Sequence, residues 1–190
     1  MKYLSLFLIL FLFAGSSSVS GQNYNFRKTT WGMDSAQVRS AESSRFVSSK
    51  KQQLLYTGKL GDWETEIVYN FTNTDHLYYG AYLINLDSRN PQTYVDAFLL
   101  LQQLLTRLYN TPNEKRYTTI NGVVIDEGEW ASHLMSGNLY LETRWSTPAT
   151  KIMLTLTKVS DKLYLEVNYT SVEYEKLIDK KNREEILKEL

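Results

Sequence analysis

Cysteine is absent from the 190-residue chain, histidine occurs twice and proline three times. Without cysteine there are no disulfides, no thiolate nucleophile, no cysteine metal site and no acylated lipoprotein cysteine. Two histidines, His76 and His133, leave little material for a zinc site, and no H-E-x-x-H pattern is present. A serine-hydrolase reading fails on the missing G-x-S-x-G elbow, because Ser132 and His133 are merely consecutive. An excess of charge of either sign is also missing. Basic and acidic residues number 21 each, and removing Lys2 with an N-terminal leader leaves a formal charge of about −1. That balance carries no electrostatic footprint for nucleic acid.

What is present starts with an export signal. Residues 1–21 combine Lys2, a nearly continuous apolar run from Leu4 to Ala14 and a small polar stretch ending at Gly21. This pattern is a secretory signal peptide, with cleavage near Ser20 or Gly21 and a mature chain beginning near Gln22. The apolar run is well short of the roughly 20 residues a spanning helix needs, so no transmembrane segment is expected in the mature protein. Export without disulfides points to a bacterial periplasm or medium, and the missing cysteine to a protein that is not lipid-anchored. The sequons Asn70-Phe71-Thr72 and Asn168-Tyr169-Thr170 fall in expected strands and carry little weight.

Residues 22–190, about 170 in all, are enough for one α+β domain with a sizeable core. Its first ordered element is announced by Trp31-Gly32-Met33-Asp34-Ser35-Ala36-Gln37-Val38. Asp34 is an N-cap, Gln37 completes a capping box, and Met33 and Val38 occupy staple positions. Gly32 permits a sharp turn beneath which Trp31 tucks. Ser43 to Lys51 reads as a serine- and lysine-rich connection. Alternation from Gln52 predicts strands, with Trp63, Thr65, Ile67, Tyr69 and Phe71 on one face, followed by His76 to Ile84, apolar or aromatic on both faces. Asn90-Pro91 opens the longest helix, in which Tyr94, Phe98, Leu101, Leu105 and Leu108 form a core stripe that Ala97 and Leu104 widen. Asn110 and Pro112 close it.

Asn121-Gly122 marks a hairpin, and three alternating strands follow, carrying Leu139 to Trp145, Ile152 to Leu156 and Leu163 to Tyr169 on one face. Thr170-Ser171-Val172-Glu173 is a capping box for a C-terminal helix whose second part, Asp179 to Glu189, is highly charged. The expected order is α-β3-α-β4/5-α, antiparallel sheet packed by helices. A further reading divides it into tandem helix-plus-sheet units at 22–88 and 89–170, with a terminal helix at 171–190.

Phe26-Arg27 followed by Trp31-Gly32-Met33, the Leu108-Tyr109-Asn110-Thr111-Pro112 helix exit, and the strands of Trp145 and Tyr169 resemble a family of exported bacterial proteins of unknown function. More distantly, the opening is similar to the helix-start motif of small outer-membrane assembly lipoproteins and of β-lactamase-inhibitor-like domains. That resemblance implies a binding module, although the lipoprotein cysteine is missing here.

Fourteen tyrosines are the chief surplus. His76, Tyr78 and Tyr82 are expected to share the face of their strand opposite Leu77, Tyr79, Ala81 and Leu83, with Gly80 leaving room for a ligand or partner backbone. Tyr78, Tyr82 and Trp130 are therefore the candidate binding residues, for a protein or small ligand in the cell envelope; cross-strand packing is the structural alternative. Trp31, Trp63 and Trp145 read as core. No cofactor, metal or catalytic set is expected. The enzymatic alternative is a hydrolase using Asp126, Glu127 and Glu129, which otherwise form a solvated turn; a purely structural envelope component is the third reading.

Overall fold

A computed structural model describes residues 24–86 and 88–189. The expected signal peptide and its cleavage point lie outside the described residues. The chain runs α1 (Ser35–Ala41), β1 (Arg45–Lys50), β2 (Gln53–Leu60), β3 (Trp63–Phe71), β4 (Leu77–Asn85), α2 (Pro91–Tyr109) and β5 (Glu114–Thr119). A 3-10 turn (Glu127–Glu129) leads into α3 (Trp130–Met135), then β6 (Leu139–Ser146), β7 (Thr150–Val159), β8 (Lys162–Ser171) and α4 (Val172–Glu189). The fold is α+β. All eight strands form one antiparallel sheet in the order β1-β2-β3-β4-β8-β7-β6-β5. The first half of the chain contributes α1 and four strands, the second α2, α3, α4 and four strands, and the halves meet where the last strand of each, β4 and β8, pair at the centre.

This order departs from the expected one in two places. Arg45–Lys50 is an edge strand, not a connection, and almost every residue in it is exposed, so no alternation marked it. The Asn121-Gly122 hairpin shrinks to one bridge between Thr118 and Val124, after which the chain enters the 3-10 turn and α3.

The helices α1, α2 and α3 cover one face. Period-two placement brings Leu54, Tyr56, Ile67, Tyr69, Leu141, Trp145, Ile152, Leu154, Leu156, Leu165 and Val167 to that face, all buried. At roughly 1.5 to 3 kcal/mol per fully buried large aliphatic side chain, this face supplies most of the driving force. The start of α1 follows from sequence. Gln37 N donates to Asp34 Oδ1 at 2.8 Å and Asp34 N to Gln37 Oε1 at 2.9 Å, the reciprocal capping box. Gly32 takes a φ of +87°, and a Cβ there would lie 2.9 Å from the hydroxyl of Tyr174, whose ring stacks on His76. The first turn of α4 thus seals the start of α1. Ser171, not Thr170, caps α4, its hydroxyl accepting from Tyr174 N at 3.3 Å.

Trp145 is fully buried as expected, whereas Trp31 and Trp63 are half-buried at the margin of the core. Trp31 donates its indole N–H to Thr150 Oγ1 at 3.0 Å. Trp31→Ala is therefore expected to cost about 2 kcal/mol in urea unfolding, below the roughly 3 to 5 kcal/mol typical of a fully buried Trp.

Candidate functional site

The centre of the helix-covered face is organised by Phe26. Gly80 on β4 has no Cβ, and the Phe26 ring occupies that space: a Cβ built there would lie 2.2 Å from Phe26 Cδ1. Tyr69, Tyr82 and Tyr169 surround the ring with centroids 5.2, 5.1 and 5.1 Å away. The close approach expected at Gly80 is thus made by the chain's own N-terminal segment.

Arg27, next in sequence at a positive φ of 52°, locks this segment down. Its Nε donates to Glu42 Oε2 at 2.7 Å, and its Nη2 to Glu42 Oε1 and Ser44 Oγ, each at 3.1 Å. Glu42 also accepts from the Tyr69 hydroxyl and, at 2.7 Å, from Ser44 N. Burial alone would raise the Glu42 carboxyl. The bonds from Tyr69, Arg27 and Ser44 together outweigh it and hold the group at about 2. Arg27 Nη1 reaches the Tyr82 hydroxyl at 3.4 Å.

Between this cluster and α2 the face is not closed. A cleft of about 620 Å³ lies over β3, β4 and β8, with Trp63, Tyr82, Val167 and Tyr169 along it and Leu101 and Leu105 of α2 as one wall. The register places Trp63 at the hairpin turn opposite Leu60, Tyr82 opposite Ile67, and Tyr169 opposite Gly80, so the cleft runs along the strands from the Gly61-Asp62 turn inward. Leu100, Leu104 and Leu108 of α2 also line it and are 45%, 42% and 71% exposed. Leu104 and Leu108 were expected in the core. The core accommodates one stripe, Tyr94-Phe98-Leu101-Leu105, and the leucines beside it have no protein surface to cover them. Their four-residue spacing is the sequence signal for a second, unpartnered stripe.

The polar atoms on the cleft floor are satisfied inside the protein. The Tyr82 hydroxyl, raised by burial against the opposing pull of Arg27, bonds Arg27. The Tyr169 hydroxyl is raised by burial and by Tyr109, whose ring centroid lies 6.4 Å from that of Tyr169. The floor is thus neutral and offers a ligand mainly apolar contact.

The three sequence candidates separate. Tyr82 lines this cleft. Tyr78 does not share its face: the register passes from Asn70↔Tyr79 to Phe71↔Leu77, skipping Tyr78, and the Tyr78 ring stands 6.4 Å from that of Tyr79. A bulge of this kind breaks the alternation on which the shared face was read. Trp130 is a core residue of α3, 3% exposed, packed 5.0 Å from Tyr117 and donating to the Ile125 carbonyl at 3.3 Å. Asp126, Glu127 and Glu129 are exposed at the 3-10 turn, and no cluster able to hold a metal occurs among the described residues.

The opposite, uncovered face carries a second cleft of about 430 Å³ lined by Tyr79, Arg144, Lys151, Met153 and Asn168. Its polar groups are engaged. Tyr79 donates to Asn168 Oδ1 at 2.6 Å, Arg144 pairs with Glu142 at 2.8 Å and Glu114 at 3.3 Å, and Lys151 pairs with Glu175 at 2.5 Å. No helix among the described residues is long and apolar enough to cross a membrane. Comparison with protein-family models, curated proteins and solved structures found no match.

Proposed function

We propose that this chain is an exported binding module of the bacterial envelope, acting without chemistry of its own and taking an apolar ligand or partner in the cleft between α2 and the β2–β3 turn. The observation that carries the reading is the exposure of Leu100, Leu104 and Leu108 beside a cleft floored by aromatic rings. Contiguous apolar surface of this kind marks interaction sites, and the cleft volume falls in the range of small-molecule sites. The leader-like residues 1–21 support export to the periplasm or medium, and the absence of cysteine supports a form without a lipid anchor. The resemblance to exported proteins and to helix-plus-sheet binding modules agrees with a role in recognition.

A neutral solvatochromic dye, Nile red, tests the cleft. Saturable binding near one dye per chain is expected, with a blue-shifted emission. Leu104→Glu should weaken it at least tenfold while leaving the melting temperature within a few degrees, because Leu104 is already partly in water. Equal dye binding by the variant would overturn the assignment of the site.

A further inference from the structure

The polarity of the cleft is one-sided, and this constrains its occupant. Along the floor, the Tyr82 hydroxyl is engaged by Arg27 and Tyr169 is buried with its ring against that of Tyr109, and the walls are leucine, valine and tryptophan. At the end formed by the hairpin turn stands Asp62, the one side chain lining the cleft that carries a formal charge. Its carboxylate forms no hydrogen bond or ion pair among the described residues. Neighbouring Lys59 is paired with Glu64 at 3.3 Å. Gly61, at a φ of +63°, makes this two-residue turn with no side chain of its own, so the mouth beside Asp62 is unobstructed.

A ligand filling this space buries an aliphatic body against the leucines and rings and leaves its polar end beside a carboxylate. Resting on the cleft reading above, we propose that the ligand is a single-chain amphiphile with a cationic head group, the chain lying along α2 and the head at Asp62. An anionic head would meet a like charge with no arginine or lysine lining the cleft to offset it.

Isothermal titration with dodecyltrimethylammonium and with dodecanoate, each below its micelle concentration, tests this. The two share a twelve-carbon chain and differ in head charge. The cation is expected to bind about fivefold more tightly, the size of effect that one exposed ion pair and one exposed like-charge contact produce together. The preference should shrink with added salt and vanish in Asp62→Asn, which leaves the chain site intact. Equal affinities in the unaltered protein, or a preference that survives Asp62→Asn, would overturn the head-group assignment while Nile red binding still upheld the cleft. Loss of dye sensitivity to Leu104→Glu would remove the cleft itself. A concentration-dependent dimer abolished by Leu104→Glu would assign the leucine stripe to a second copy and overturn the amphiphile.

Discussion

Gly80→Val is expected to unfold most of the protein at room temperature, or to lower its stability by more than about 4 kcal/mol. The Cβ alone would sit 2.2 to 2.6 Å from three atoms of the Phe26 ring, which is 2% exposed and ringed by Tyr69, Tyr82 and Tyr169. Neither partner has room to give: Gly80 is held between β3 and β8 opposite Tyr69 and Tyr169, and Phe26 is followed directly by Arg27, anchored on Glu42. Expelling Phe26 forfeits roughly the 3 to 5 kcal/mol of a buried phenylalanine, with overpacking strain added. A steric origin has a specific signature. Phe26→Ala alone is expected to be destabilising, yet Gly80→Val in that background should cost far less than in the original chain, since the valine then fills the vacated space. Chemical denaturation of the two single variants and the double variant checks it; strict additivity would show that Gly80 is needed for some other reason.

The same pair shows how far the sequence could be read. The capping box at Asp34 and Gln37, the turn at Gly32 and the period-two strands of the second half depend on residues close in sequence, and each is found as expected. Phe26 over Gly80 depends on two residues 54 positions apart, and the sequence shows only that Gly80 leaves space, not what fills it. The face shared by Tyr78 and Tyr82 was misread because alternation counts residues, and one bulged residue at Tyr78 shifts the parity. Trp130 is buried because it opens α3, a helix absent from the expected element order. The cleft was partly legible. Leu100, Leu104 and Leu108 declare a second stripe, but whether a stripe is covered is decided by where the sheet and α1 end, which no local pattern encodes.

The Arg27–Glu42 pair ties that arrangement together and predicts how the protein responds to acid. The Glu42 side chain is 2% exposed and receives bonds from Arg27, Tyr69 and Ser44. Its carboxyl titrates at about 2 in the folded protein, against about 4.3 for an unperturbed glutamate. Because the folded value is the lower one, the unfolded chain binds the proton more readily. Glu42 therefore contributes stability that is fully present above about pH 5 and is lost as pH falls toward 2. A shift of this size corresponds to roughly 3 kcal/mol. Glu42→Ala is expected to cost about 3 to 5 kcal/mol at pH 7, because it leaves the Arg27 guanidinium half-buried without its carboxylate and the Tyr69 hydroxyl without its acceptor. The diagnostic is the slope: in the original chain stability should decline between pH 5 and 2 more steeply than in Glu42→Gln, whose amide cannot titrate. Coincident pH profiles for the two would mean that the pair contributes geometry alone. Since Arg27 also holds the Tyr82 hydroxyl, the variant should loosen the floor of the cleft as well, weakening Nile red binding under conditions where the chain remains folded.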